Sequence, residues 1–215
     1  MVKIERLITT TNRTVRTDKK NEWIVIHYVG AVSTAKNNAL YFLTTYRGAS
    51  AHYFVDENEI WQVVEDKDDA WHVGGAKKYY NGARNSNSIG IEMCCKKKDG
   101  EWYIEPKTIE NTIALTRYLK KKYGIQNITT HYETTHKICP EPFVRNPELW
   151  EEFKAEVNKK EDEIMLTLDE AMYFLNKQGI IEKPDHWKYM CENVKDLQYV
   201  FIKCANAISK YEAED

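Results

Sequence analysis

The run Trp23-Ile-Val-Ile26, closed by His27, constrains this chain more than any other segment. It has no polar face, so it reads as a strand covered on both sides of a sheet, and His27 is the side chain such a strand delivers to the sheet's rim. A sheet of that kind needs helices packed over it. Strand candidates at residues 22–28, 51–55, 60–64 and 88–94 are rich in β-branched, aromatic or apolar residues, and they alternate with helix candidates at 34–46, 108–122 and 147–157. The expected fold class is therefore α/β: a mixed central β-sheet flanked by helices, followed by a small all-α C-terminal module.

Local signals place several element ends. Asp56-Glu-Asn-Glu59 has the composition of a hairpin turn between the second and third strand candidates. In the helix at 108–122, Ile109 and Ile113 lead an apolar face continued by Thr116 or Arg117 and Leu119 or Lys120, and Gly124 stops it after a Lys-rich last turn. Lys96-Lys-Lys98 beside Asp99-Gly100 reads as a solvated hairpin tip. The charged run at 158–163 changes the composition, giving a domain at 1–158, a linker at 159–166 and a helical module at 167–215. Thr167-Leu-Asp-Glu170 has the capping-box pattern of a helix that Gly179 ends, and Pro184 suits the first turn of a second. Val194, Leu197, Val200 or Phe201, Cys204 or Ala205, Ile208 and Tyr211 form the apolar stripe of a third.

Charge argues against nucleic acid as a partner. The 31 Lys and Arg residues are nearly balanced by 33 Asp and Glu, without the basic footprint of a DNA or RNA binder. The first ten residues break their apolar positions with charges, and no later segment is long enough to span a bilayer. The expectation is a chain made in the cytoplasm without a signal peptide and with no membrane partner. Five cysteines, Cys94, Cys95, Cys139, Cys191 and Cys204, are an odd number at irregular spacing and fit no disulfide framework. Four of them read as small buried hydrophobes. Cys139 differs, because it lies between Lys137 and Pro140 in a polar, turn-like stretch where a nearby cation or metal favours the thiolate.

The segment His131-Tyr-Glu-Thr-Thr-His-Lys-Ile-Cys-Pro140 places an imidazole, an ammonium and a thiol within reach of one another. Joined by His27, it makes a candidate zinc site of His27, His131 and Cys139 whose fourth tetrahedral position is left to water, as in a catalytic centre. Zinc held this way acidifies its water towards neutral pH. Attack on an amide carbonyl then needs a base and a donor for the tetrahedral oxyanion. Glu92, in the strand Ser88-Ile-Gly-Ile-Glu-Met, is the candidate base, and Lys137 is the candidate for the oxyanion. His136 competes as a fourth ligand, and a shell closed by it would make the zinc structural.

Five ordered pieces carry a resemblance. Ile24-Val-Ile-His27-Tyr, Ala49-Ser-Ala-His-Tyr-Phe-Val-Asp56, Ala70-Trp-His-Val-Gly74, Asn87-Ser-Ile-Gly-Ile-Glu92 and His131 through Pro140 resemble the zinc-dependent N-acetylmuramoyl-L-alanine amidases of the peptidoglycan-recognition-protein type, especially phage endolysins and autolysins of Gram-positive bacteria. The resemblance implies that His27, His131 and Cys139 are the Zn2+ ligands and that Glu92 and Lys137 assist catalysis. It implies that Trp71 and His72 line the substrate groove. The implied reaction cleaves the amide between N-acetylmuramic acid and L-alanine in the peptidoglycan of a Gram-positive cell wall, after release from the cell. Many similar enzymes have aspartate and glycine where this chain has Glu133 and His136, and another branch has a tyrosine where this chain has Ala51. His52 reads as a supporting residue. The alternative function is a peptidoglycan-binding module of the same fold that does not cut. The C-terminal helices read either as a wall-targeting unit or as a homo-oligomerisation unit.

Overall fold

In the computed structural model, which describes residues 3–74, 76–159, 168–193 and 197–211, strands and helices alternate along the first three-quarters of the chain. They run β1 (Glu5–Arg6), β2 (Trp23–Val32), α1 (Ala35–Leu43), β3 (Tyr53–Val55), β4 (Ile60–Gln62), β5 (Ser88–Lys98), β6 (Glu101–Tyr103), α2 (Pro106–Tyr123), β7 (Asn127–Thr130), α3 (His131–Thr135), α4 (Glu141–Arg145) and α5 (Pro147–Asn158). Three helices follow, α6 (Leu168–Lys177), α7 (Pro184–Asn193) and α8 (Leu197–Tyr211). The chain divides into two units, Met1–Asn158 and Lys159–Asp215.

The first unit is built on one seven-stranded mixed sheet in the order β1-β4-β3-β5-β2-β7, with β6 added to β5. Its centre is parallel: β2 pairs with both β5 and β7, and β3 pairs with β5. Side chains alternate across the two faces of each strand. Ile24 and Ile26 of β2, Tyr53 and Val55 of β3, and Ile89, Ile91 and Met93 of β5 enter one core with Leu115 and Leu119 of α2 and Trp150 and Phe153 of α5. On the opposite face, Phe54, Val63 and Cys94 pack with Ala35 and Ala39 of α1, while Val25 packs with Val73 and Ala83. The sheet is covered on both sides, as the run at Trp23 requires.

Local chemistry explains the element ends. Asp56 turns the β3–β4 hairpin by accepting from the Asn58 and Glu59 amides at 2.8 and 2.9 Å, and its other oxygen accepts from Ala35 N at the start of α1 at 2.7 Å. Helix α2 stops at Gly124, whose φ of 67° is left-handed and whose N–H returns to Lys120 O. In the second unit Gly179 follows α6 with a φ of 69°, and Pro184 opens α7. Ala171, Met172, Leu175, Ile181, Cys191 and Ala205 form that unit's own core. Residues 160–166 of the expected 159–166 linker, the Thr167 cap and Val194 lie outside the described residues.

Several expectations need correction. His27 does not end a strand at the rim: β2 continues to Val32 and His27 is buried, although regular pairing with β5 breaks after Tyr28. The segment from His131 holds two short helices, α3 and α4, which the sequence reading did not anticipate, while Lys137 to Pro140 between them lies outside helix and strand. The buried face of α2 includes Thr108, Thr112 and Leu115 as well as Ile113, Thr116 and Leu119. Two of its hydroxyls are satisfied inside the helix, Thr112 Oγ1 donating to Thr108 O and Thr116 Oγ1 to Thr112 O at 2.7 Å each, so polar residues occupy an apolar face, while Thr108 Oγ1 has no hydrogen-bond partner. Cys204 is exposed, and Ala205 takes the core position beside it. The other four cysteines are buried, and all five are free.

Candidate metal centre and active site

Parallel register brings the site together. Ile26 on β2 lies opposite Thr130 on β7, and His27 lies opposite Glu92 on β5. His131 is the residue after Thr130, so the carboxyl end of β7 delivers it beside His27. Because Ile26 and Ile91 enter the main core, alternation turns His27 and Glu92 together towards the other face.

The donors converge. His27 Nδ1 is 3.1 Å from His131 Nδ1 and 3.7 Å from Cys139 Sγ. The donor atoms of His27, His131 and Cys139 all lie within 4.8 Å of one another, and all three residues are buried. His136 is not among them. It caps α3 in a left-handed conformation, φ 62°, with its ring stacked on Tyr80 at 3.6 Å between centroids.

Helix α3 is held by a capping box that sequence reasoning missed, although Thr130-His-Tyr-Glu133 displays it. Thr130 Oγ1 accepts from Glu133 N at 3.1 Å, and Glu133 Oε2 accepts from Thr130 N at 2.9 Å. Glu133 Oε1 also accepts from Trp150 Nε1 at 2.9 Å, tying the start of α3 to α5. At the other end of the segment Tyr132 N–H donates to Cys139 O at 2.9 Å, which folds the thiol back over the helix.

Burial sets the electrostatics. It holds His27 and His72 well below the usual imidazole value, and it brings His131 down to about 4 with help from the Lys137 charge. The rings are therefore neutral at pH 7, as metal ligation needs. Burial, then the Glu92 carboxylate, pushes the Cys139 thiol up, so the sulfur keeps its proton until a cation displaces it. Burial raises Glu92 to about 8 against the lowering effect of Lys137. Its Oε2 is closed off from solvent and accepts no hydrogen bond.

These groups open onto a cavity of about 290 Å³ lined by His27, Glu92, His131, Lys137, Cys139 and Trp71 among others. Trp71 is anchored at its wall by Nε1 to Thr14 Oγ1 and by its backbone N–H to Ser50 Oγ, each 2.9 Å. His72 lines the back of the cavity with both ring nitrogens engaged inside the protein, Nδ1 with His27 at 3.0 Å and Nε2 with Ser88 at 3.1 Å. His52 is fully buried, accepting from Gly90 N–H at 3.0 Å through Nδ1.

A family profile described as N-acetylmuramoyl-L-alanine amidase matches residues 17–142. The chain belongs to this family. The matched span contains every residue of the constellation. A probable N-acetylmuramoyl-L-alanine amidase of Bacillus licheniformis is 31% identical over 205 residues, 89% of this chain and 56% of the relative. The N-acetylmuramoyl-L-alanine amidase BlyA of Bacillus subtilis is 35% identical over 152 residues, 63% of this chain and 41% of the relative. The chain thus spans about half the length of the curated relatives it matches. Among solved structures, PlyL superposes with a TM-score of 0.63 at 25% identity, covering 74% of this chain and 98% of that one. The catalytic domain of XlyA superposes with a TM-score of 0.61 at 26% identity, covering 73% and 100%. The family's mixed sheet with flanking helices is the fold found here.

Proposed function

We propose that this chain hydrolyses the amide joining the lactyl group of N-acetylmuramic acid to L-alanine in the peptidoglycan of Gram-positive walls, with zinc held by His27, His131 and Cys139. One observation carries this reading: two imidazoles and a thiol converge within 4.8 Å beside a carboxyl oxygen that has no partner. The donor set suits zinc, whose preference for nitrogen and sulfur distinguishes it from the oxygen-seeking calcium and magnesium. When bound, the ion would supply Lewis acidity, lowering the pKa of a water and polarising a carbonyl.

The chain's own residues perform the proton work. Ionised Glu92, through Oε2, takes a proton from the attacking water and returns it to the departing L-alanine nitrogen, and a bound cation beside it would favour that ionised form over the proton that burial alone makes it keep. Lys137, on the same cavity, donates to the oxygen that gains charge as the carbonyl becomes tetrahedral. Trp71 offers an aromatic wall to the substrate. Residues 1–158 hold all of these groups and serve as the catalytic domain. Helices α6 to α8 are assigned to wall targeting by analogy with modular endolysins, with an oligomerisation unit as the other reading. The site of action is the cell wall.

Incubating the protein with purified Gram-positive walls, with and without a chelator, tests the reading. The expected products are chelator-sensitive L-alanine amino groups without new reducing ends. Reducing ends alone would mean a glycosidase, and wall binding without either product would mean a binding module.

A further inference from the structure

Behind His27, on the side away from Cys139 and His131, runs a chain of hydrogen bonds whose polarity is set at its far end. Ser88 Oγ lies 2.5 Å from the Arg84 carbonyl oxygen and 3.1 Å from His72 Nε2. A carbonyl oxygen only accepts, so the hydroxyl proton points at Arg84 and Ser88 Oγ presents a lone pair to His72. His72 Nε2 therefore carries its ring's proton. The Nδ1 of that neutral ring, 3.0 Å from His27 Nε2, is then an acceptor, and His27 Nε2 is the donor. The lone pair of His27 is left on Nδ1, the nitrogen that faces His131 Nδ1 and Cys139 Sγ.

We infer that Ser88 and His72 are positioning residues that lock His27 in the Nε2–H tautomer, so that Nδ1 stands ready as a metal ligand. The inference rests on the reading of His27 as a ligand. Flipping the His72 ring does not rescue the opposite polarity, because a flip sets carbon atoms against both Ser88 and His27. The surroundings hold the ring in place. Gly90 leaves it room: a Cβ there would meet His72 Cγ at 2.6 Å and Nδ1 at 2.7 Å. His52, itself held by Gly90 N–H, flanks the ring edge-on with centroids 5.7 Å apart. Ser88 is fully buried, so water does not replace it.

Partners of ligating histidines characteristically change metal affinity by about 10- to 100-fold when removed. Two measurements test the relay on the full chain. Nitrogen-15 NMR of the histidine-labelled, metal-free protein should find His27 protonated at Nε2 and bare at Nδ1. Chelator competition should find zinc held about 10- to 100-fold more weakly by His72→Phe, with a smaller loss for Ser88→Ala. A proton on His27 Nδ1 would overturn the inference, as would wild-type zinc affinity in both variants when they are folded. The NMR result needs no variant to fold. It also stands if the wild type takes up no zinc, an outcome that sinks the metal reading and leaves the tautomer relay intact.

Discussion

At the scale of single residues, Glu92 and Cys139 separate chemistry from metal retention. Glu92 has an unpaired oxygen and sits opposite His27 without belonging to the donor group. Glu92→Gln is therefore expected to lower wall hydrolysis by about 10²- to 10⁴-fold, the usual contribution of a positioned acid or base, while zinc content is unchanged. Equal loss of zinc and activity would place Glu92 in the metal shell instead. Cys139→Ser is expected to do the reverse, releasing zinc and stopping turnover while the fold survives, because oxygen is a poorer zinc donor than thiolate. The thiol's raised pKa adds a pH dependence. Zinc must displace a proton from sulfur, so competition titrations should show affinity rising with pH between about 6 and 8.

At the scale of elements, the segment carrying His131 depends on a four-residue signal. Thr130-x-x-Glu133 caps α3, and Thr130→Ala is expected to cost about 0.5–2 kcal/mol in denaturant unfolding. An unchanged midpoint would mean that α3 is held by packing alone. Gly90→Ala tests the opposite face of the site, since an added methyl meets His72 within bonding-repulsion range; a loss of about 1–3 kcal/mol is expected for such overpacking. These two elements also show where legibility in the sequence fails. β7 is four residues long with one apolar side chain, Ile128, so no alternation reveals it, yet its pairing with β2 positions His131. The face of α2 is disguised by buried threonines that hydrogen-bond within the helix. By contrast the Asp56–Glu59 turn and the Gly124 stop are read directly, because each depends on neighbours in the chain.

At the scale of the whole molecule, the same burial that prepares the site limits stability from two sides when metal is absent. His27, His52 and His72 are held well below 6.5 and His131 at about 4, so the folded chain binds fewer protons on these rings than the unfolded one. Their contribution is present above about pH 6.5 and is lost as pH falls through the folded values. Glu92 acts in the opposite sense. Raised to about 8, it keeps a proton that the unfolded chain releases near 4.5, and that stability is lost as pH rises towards 8. Four rings outweigh one carboxyl on the acid side, so metal-free unfolding should show greatest stability near neutral pH, about 6.5 to 7, with Glu92→Gln flattening the alkaline limb and steepening the acid one. Greatest stability below about pH 5 would contradict the neutral, buried rings. The two units have separate cores, so a 1–158 fragment is expected to keep amide hydrolysis, with wall binding measured by sedimentation reduced.

The amino-acid sequence by itself determined what is local: the buried run at Trp23, the turn and stop residues, and the residue types able to hold zinc. It also displayed the ordered motifs of the family. Only the tertiary structure decided that His27 meets His131, 104 positions away, and faces Glu92 across a strand pair. It also decided that Ser88 and His72 govern which nitrogen of His27 is free. Strand register and burial are products of packing between distant segments, and they set both the donor distances and the proton affinities, which no spacing along the chain can specify.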